Sequence, residues 1–204
     1  MKEMIKNAAI LFAITVIAGF ILGLVYQNTK GLIVEREEQD QKDACMEVFQ
    51  NASDFEEIAD CFTDADRQAF DNNGFAGERI DDAVKALSEN GEILGYVLTV
   101  TTSEGYGGDI QFTIGIQNDG TVNGISILSI SETAGLGMQA EDVLKPQFAN
   151  KKAEQFEYTK TGAMADNQID AISGATITTN AVTNGVNAGL YYFQTVLGGG
   201  NTNE

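Results

Sequence analysis

An uncharged run of 23 residues, Asn7–Thr29, constrains the fold of this chain more than any other feature of its sequence. Ala, Ile, Leu, Val and Phe dominate the run, and about 20 apolar residues in a helix span the hydrocarbon core of a bilayer. Lys2 and Lys6 precede it, and a short basic N-terminus favours retention of that end in the cytoplasm. We therefore predict a cytoplasmic N-terminus at 1–6, a transmembrane helix at 7–29 in the cell membrane, and an extracytoplasmic domain.

Two alternatives remain open for the same run. A cleaved signal peptide also begins with basic residues, but its apolar core is shorter and a small-residue cleavage site follows it. No convincing A-x-A site follows Thr29. A pilin-like protein also has an apolar N-terminal helix ahead of a small domain, but it is processed just before that helix, and Asn7-Ala8 carries no such signal. We favour a retained membrane anchor.

The charge of the chain excludes one class of partner. The formal net charge is −18, from 12 basic and 30 acidic residues, and most of the acidic residues lie between Glu35 and Glu92. A domain with this charge repels phosphate backbones, so we predict no nucleic-acid binding. We interpret the acidic residues mainly as a solvated surface.

The chain has no His and only two Cys. The absence of His excludes His-based catalytic triads, His-based metal sites and His acid/base chemistry. Cys45 and Cys61 are too few for a four-Cys metal cluster and too far apart for a CxxC pair. A disulfide between them and two free thiols both remain open. We predict neither a catalytic residue nor a metal site.

Helical patterns lie at both ends of the chain beyond the membrane run. Residues 30–80 are predicted as a helical membrane-proximal segment, because Gly31–Phe49 has apolar residues at helical spacing and Asp54–Asp60 adds a further turn. Asn180–Leu197 also has apolar residues at helical spacing, and short helical pieces are predicted within Glu141–Asn150. Residues 198–204 are Gly-rich at their start and are predicted as a flexible tail.

The middle of the chain follows the alternation of β-strands. Ala83–Leu87 and Ile93–Thr102 flank a Ser-Glu-Asn-Gly turn. Ile and Phe alternate perfectly over 110–116, and an Asn-Asp-Gly turn then leads into Val122–Ile130. Strands in the middle and helices at both ends predict an α+β fold, with one domain at 81–197 built on a mostly antiparallel sheet with flanking helices.

Three segments rich in Gly and small residues lie between these elements: Gly105–Asp109, Ser131–Gly137 and Asp170–Thr176. Taken alone, each is most often a turn, and a Thr before a helix is most often an N-cap. The Thr176 hydroxyl, beside Gly174, is sterically open to a large ligand or to another enzyme. It also lies just ahead of a helix N-terminus, where free N–H groups favour a phosphate. Spacing alone predicts a site for a phosphate ester without naming the ester.

Here the sequence resembles a known family. Asp-Ala-Ile-Ser-Gly-Ala-Thr at 170–176 resembles the D-x-x-S/T-G-A-T flavinylation motif of the FMN-binding domain shared by RnfG and NqrC. Ser-Glu-Thr-Ala-Gly-Leu-Gly at 131–137 is similar to its SETPGLG signature, and Gly-Tyr-Gly-Gly at 105–108 to its third landmark. Ala134 stands where the family has Pro, which frees one φ angle but removes no functional group. With three motifs in order behind one membrane span, the chain is identified as a member of this family.

The resemblance implies FMN as the cofactor, joined through its phosphate to the Thr176 hydroxyl by a flavin transferase. It also implies that Thr178 and Thr179 do not carry the flavin. Leu136 is a candidate to pack on the ring, Tyr106 to stack nearby, and the other candidate contacts come from the same three segments. These cofactor-binding candidates are Ser173, Gly174, Ala175, Thr178, Glu132, Thr133, Gly135, Leu136, Gly137 and Tyr106.

The resemblance further implies an electron-carrying subunit rather than an independent enzyme. A short chain favours RnfG, which belongs to the ion-translocating ferredoxin:NAD⁺ oxidoreductase (Rnf) complex, over the longer NqrC-type subunits. The implied partners are the other membrane subunits RnfA, RnfB, RnfC, RnfD and RnfE, the flavin transferase and membrane lipid. Three alternatives stay open: an NqrC-like subunit of a Na⁺-translocating NADH:quinone reductase, a stand-alone flavinylated carrier, and a structural subunit in which Thr176 only caps a helix.

Overall fold

The computed structural model describes residues 1–198, and its first element is the long helix α1, Lys2–Val48. An 18-residue window of α1 has a mean hydropathy of 2.7, and none of that window is buried. This helix is therefore a candidate membrane span. The chain divides into two compact units within α1, the first being Met1–Lys42 and the second starting at Asp43. The predicted tail at 198–204 lies outside the described residues except for Gly198.

A six-stranded antiparallel sheet forms the centre of the second unit, with its strands in sequence order. Alternating apolar residues place one side of each central strand against the core. The strands are β1 Asp54–Glu57, β2 Glu78–Leu87, β3 Ile93–Thr102, β4 Ile110–Gln117, β5 Thr121–Ser129 and β6 Lys151–Lys152. Two further strands, β7 Glu157–Thr159 and β8 Gln168–Asp170, form a separate parallel pair.

Within residues 1–198, three helices follow α1 and flank the sheet. They are α2 Asp64–Asn72, α3 Ala140–Val143 and α4 Thr176–Thr195, and 3₁₀ turns at Gly137–Gln139 and Lys145–Phe148 flank α3. The apolar side of α4, with Val182, Val186 and Leu190, packs on the face of β3 and β4 that carries Val100, Phe112 and Ile114. The predicted α+β class, with a mostly antiparallel sheet and flanking helices, is confirmed.

The membrane-proximal segment is only partly helical, and the predicted turn of helix at Asp54–Asp60 is wrong. Asp54–Glu57 instead pairs with the edge of β2, with Phe55 opposite Ala86. The edge strand packs the half-buried Phe55 against a small apolar cluster and satisfies backbone groups that a single helical turn would leave free. The strand before the first hairpin also begins earlier than predicted, at Glu78.

The two thiols lie in different apolar environments, and both are free. Cys45 belongs to the cluster of Val48, Phe49 and Val97, whereas Cys61 packs against the larger core under α4. Burial, with the Asp82 carboxylate second, raises the pKa of Cys45 to about 11, and the same two causes raise the pKa of Cys61. Both side chains are therefore held as neutral thiols.

Close packing between α4 and the sheet makes Gly185 a test of the core. A Cβ at this position would lie 2.8 Å from Cζ of Phe112, which is fully buried. Gly185→Ala is expected to lower the free energy of unfolding by about 1–3 kcal/mol through overpacking. In an open helix the same change would instead stabilise by roughly 0.5–1 kcal/mol.

Urea unfolding of the detergent-solubilised chain measures this effect. Phe112→Leu is the matched partner, because it removes the ring that the new methyl group would meet. In the Phe112→Leu background, Gly185→Ala should cost little or nothing. An equal loss of unfolding free energy in both backgrounds would show that the destabilisation does not come from contact between the new methyl group and the Phe112 ring.

Candidate cofactor cleft

Sheet topology brings two of the three Gly-rich segments together. Gly105–Asp109 leads into β4 and Ser131–Gly137 leaves β5, and these strands are antiparallel neighbours in which Gln111 lies opposite Ser129. The two loops therefore emerge at the same end of one hairpin. The third segment, Asp170–Thr176, runs into the first turn of α4, which packs across that sheet.

A cleft of about 530 Å³ lies where the three segments meet. Its volume is within the range of small-molecule and cofactor sites. Nine of the eleven predicted site residues line it, and Ser173 and Gly135 are exposed on its margin. The lining residues are Tyr106, Glu132, Thr133, Leu136, Gly137, Gly174, Ala175, Thr176, Ile177 and Thr178. Sequence reasoning missed Ile177, although its position between two candidate threonines was a signal.

The first two loops are in direct contact at Gly107. The Gly107 N–H donates to Glu132 Oε1 at 3.2 Å. A Cβ on Gly107 would overlap the carbonyl oxygen of Ser131 and lie 3.0 Å from its carbonyl carbon. Glycine at 107 is therefore required for this contact, which joins two walls of the cleft.

Tight packing also forms the inner wall of the cleft. A Cβ on Gly137, which is buried, would lie 2.6 Å from the Thr178 hydroxyl and 2.7 Å from Glu132 Oε2. A Cβ on Gly174, whose φ is +78°, would lie 3.1 Å from Leu136 Cδ2. These glycines let the second loop and the start of α4 approach each other closely.

The three threonines at the start of α4 differ in exposure. Thr178 and Thr179 are 1% and 0% exposed, whereas Thr176 is only half-buried. The Thr179 hydroxyl is already engaged, since it donates to the Ala175 carbonyl at 3.0 Å and accepts from the Ile172 N–H at 3.1 Å. Of the three threonines, Thr176 is the most exposed, and it lines the cleft.

The N-terminus of α4 supplies donors for an anion. No side chain among the described residues caps this helix at Ala175. Thr179 is the first residue whose N–H bonds back to the cap, reaching the Ala175 carbonyl at 3.0 Å. The N–H groups of the three preceding residues therefore have no partner within the helix, and together with the helix dipole they favour a phosphate group.

Apolar side chains form the rim of the cleft. Tyr106 is 70% exposed, Ile177 52% and Leu136 40%. A planar aromatic ligand with a phosphate matches this arrangement, because its ring can cover the apolar rim while its phosphate lies at the helix N-terminus. The residues present therefore fit FMN.

These features define a flavin-nucleotide-binding domain that follows a candidate membrane span. The family model for the FMN-binding domain matches residues 105–191, and the model for the RnfG N-terminal region matches residues 1–48. The chain belongs to the RnfG family, and FMN is its cofactor.

Curated relatives cover almost the whole chain. The G subunit of the Na⁺-translocating ferredoxin:NAD⁺ oxidoreductase complex of Acetobacterium woodii is 35% identical over 95% of this chain and 93% of its own length. The G subunit of the proton-translocating ferredoxin:NAD⁺ oxidoreductase complex of Clostridium ljungdahlii is 31% identical over 95% and 97%. A solved structure of the C subunit of Na⁺-translocating NADH-quinone reductase from Parabacteroides distasonis matches at a TM-score of 0.49 and 17% identity, covering 70% of this chain and 76% of that chain.

Proposed function

We propose that this chain is an electron-transfer subunit of an Rnf-type ion-translocating oxidoreductase complex, with one FMN esterified to the Thr176 hydroxyl. The observation that carries the attachment point is the position of Thr176, which is half-buried, lines the cleft and opens the uncapped start of α4. Thr178 and Thr179 are buried, and the Thr179 hydroxyl is already engaged in two hydrogen bonds. The names of the relatives support the assignment to the complex.

The residues of the cleft bind and orient the cofactor in this proposal. The first-turn N–H groups of α4 hold the phosphate, and the apolar rim formed by Tyr106, Leu136 and Ile177 holds the ring. When bound, FMN supplies the capacity to accept and release single electrons. Electron transfer needs neither a nucleophile nor a general base from the protein, which agrees with a chain that contains no His.

The partners in this proposal are the other membrane subunits of the Rnf complex, which would deliver electrons to the cleft and remove them. NAD⁺ and ferredoxin are not proposed as ligands of this chain. Its relatives are named for Na⁺ in one case and for protons in another, so we propose ion translocation by the complex without assigning the ion.

The mass of the mature chain tests the proposal. The chain is expressed with a flavin transferase and purified from membranes, and its intact mass and its proteolytic peptides are measured. The expected mass is that of the polypeptide plus one FMN less one water, with the addition located at Thr176. An unmodified Thr176, purified from cells in which the transferase modifies another known substrate, would contradict the proposal.

We also propose that the FMN domain lies on the extracytoplasmic side, and thiol labelling tests this orientation. A new Cys at exposed Glu89 in the β2–β3 turn is expected to react with a membrane-impermeant maleimide in spheroplasts. The native thiols contribute little signal, because their raised pKa values keep Cys45 and Cys61 protonated. Glu3→Cys, at the other end of the span, should react only after lysis. The reverse pattern would contradict the proposed orientation.

A further inference from the structure

Glu78 is a buried acidic residue outside the lining of the cleft. It opens β2 and is 0% exposed. Its Oε1 accepts a hydrogen bond from the Thr102 hydroxyl at 3.2 Å, and its Oε2 has no hydrogen-bond partner among the described residues. A buried carboxylate with an unsatisfied oxygen is costly, whereas a neutral carboxylic acid at the same place costs much less.

Two charged groups face Glu78 from the elements packed around it. The Arg67 guanidinium of α2 favours its ionised form, but Nη1 of this side chain is engaged at 2.7 Å by the backbone carbonyl of Glu78. The Glu104 carboxylate, just beyond β3, disfavours ionisation. Burial, and after it Glu104, raise the pKa of Glu78 to about 7, against the hydrogen bond from Thr102 and the charge of Arg67.

A short polar network connects Glu78 to the walls of the cleft. The Thr102 hydroxyl that donates to Glu78 also accepts a hydrogen bond from the Glu104 N–H at 3.3 Å. Glu104 Oε2 in turn accepts from Asn184 Nδ2 at 2.8 Å and from Asn180 Nδ2 at 3.4 Å. Asn180 lies one helical turn after Thr176.

The polypeptide chain also connects Glu104 covalently to the wall of the cleft. Glu104 leads directly into Gly105 and Tyr106, the loop that forms one wall of the cleft. A Cβ on Gly105 would lie 2.9 Å from Oε1 of Glu132, which also lines the cleft. Glu78 is therefore linked through Thr102 and Glu104 to both the loop and the helix that hold the cofactor in the proposed function.

We propose that Glu78 is the proton-binding group of the flavin site. When it is ionised, it takes up one proton from the solvent as the cofactor accepts one electron from the preceding carrier of the complex, and it releases that proton when the electron leaves. The charge within the domain is then unchanged by electron transfer. This inference rests on the proposed function, because it requires FMN in the cleft.

Redox titration of the holo chain in detergent, monitored by flavin absorbance, tests this role in Glu78→Gln. At about pH 5.5 the wild-type chain and Glu78→Gln should have the same potential, since Glu78 is then neutral. At about pH 8.5 the wild-type potential should lie below that of the variant, because an ionised Glu78 disfavours an added electron. Glu89→Gln, the same change at an exposed site, should match the wild type at both pH values.

A second readout is independent of the cofactor. In the flavin-free Thr176→Ala chain, infrared titration should show a carboxylic-acid C=O band that disappears near pH 7 and is absent when Glu78→Gln is added. If Glu78→Gln does not fold, Glu104→Gln serves instead. Because it removes a repelling charge, it should shift to lower pH both the fall of the flavin potential and the loss of the infrared band.

The outcomes separate the two proposals. Parallel potential curves for the wild type and Glu78→Gln, or no band that titrates near pH 7, would overturn the role of Glu78. A wild-type chain without FMN would overturn the proposed function, while the infrared titration would still decide whether Glu78 binds a proton.

Discussion

Thr176→Ala is expected to abolish covalent FMN completely, leaving the chain at the mass of the bare polypeptide and without visible absorbance. The reason is chemical, because a phosphate ester needs a hydroxyl and the two threonines that follow in the first turn of α4 are buried. Thr178 is 1% exposed, and Thr179 is held between the Ile172 N–H and the Ala175 carbonyl. The flavin should therefore not move to the next threonine.

Loss of the flavin in this variant should not arise from unfolding. Thr176 does not cap α4, and Ala is a better helix former than Thr. The free energy of unfolding should change by no more than about 0.5 kcal/mol, measured by urea titration of the two flavin-free chains. Both chains are expressed without the transferase for this comparison.

Two variants control the result. Thr176→Ser keeps a hydroxyl at the same position and should retain the flavin. Thr178→Ala removes a neighbouring hydroxyl from the same cleft and should keep the added mass at Thr176. FMN on the Thr176→Ala chain, or its loss from Thr178→Ala with the fold intact, would contradict attachment at Thr176.

The proximity of the first two Gly-rich loops to each other could be predicted from local sequence patterns. The alternation at 110–116 and the Asn-Asp-Gly turn predict a hairpin, and a hairpin brings the segment before its first strand beside the segment after its second. The observed pairing of Gln111 with Ser129 follows from that rule. The identity of the ligand did not follow from these patterns, because spacing predicts only a phosphate site and the flavin came from the resemblance.

The start of α4 was predicted four residues too late, at Asn180. Thr176, Ile177, Thr178 and Thr179 are β-branched, and intrinsic propensity does not favour a helix there. Tertiary packing overrides propensity at this point, since Thr178 and Thr179 are buried and Thr179 bonds to Ala175 and Ile172. The consequence matters for function, because it places Thr176 in the first turn of the helix rather than in the preceding loop.

Other elements were missed for different reasons. Helix α2 begins with a capping box in which Thr63 and Asp66 bond to each other's backbone N–H groups, and that T-x-x-D signal was present in the sequence. The network of Glu78, Thr102 and Glu104 had no local signal. It depends on the register of β2 with β3, where Glu78 lies opposite Thr102, and on the packing of α4 over the sheet.

Gly107→Ala is expected to keep FMN attached but to release its ring from the cleft. The new methyl group would overlap the Ser131 carbonyl, which belongs to the backbone and cannot rotate away. The loops must separate, and the hydrogen bond from the Gly107 N–H to Glu132 lengthens or breaks. Attachment should persist, because Thr176 lies on the third segment and on neither of the two loops that separate.

The expected signals are a full FMN mass, a visible circular dichroism near zero, and flavin fluorescence raised severalfold toward that of free FMN. The free energy of unfolding should fall by about 1–3 kcal/mol, as for other overpacked sites.

Asp109→Ala, at an exposed position of the same loop, should keep the wild-type visible dichroism. Wild-type dichroism in Gly107→Ala would mean that the contact between the loops does not hold the ring. Loss of the mass addition would mean instead that the transferase requires the assembled cleft, so the variant distinguishes how FMN is attached from how it is held.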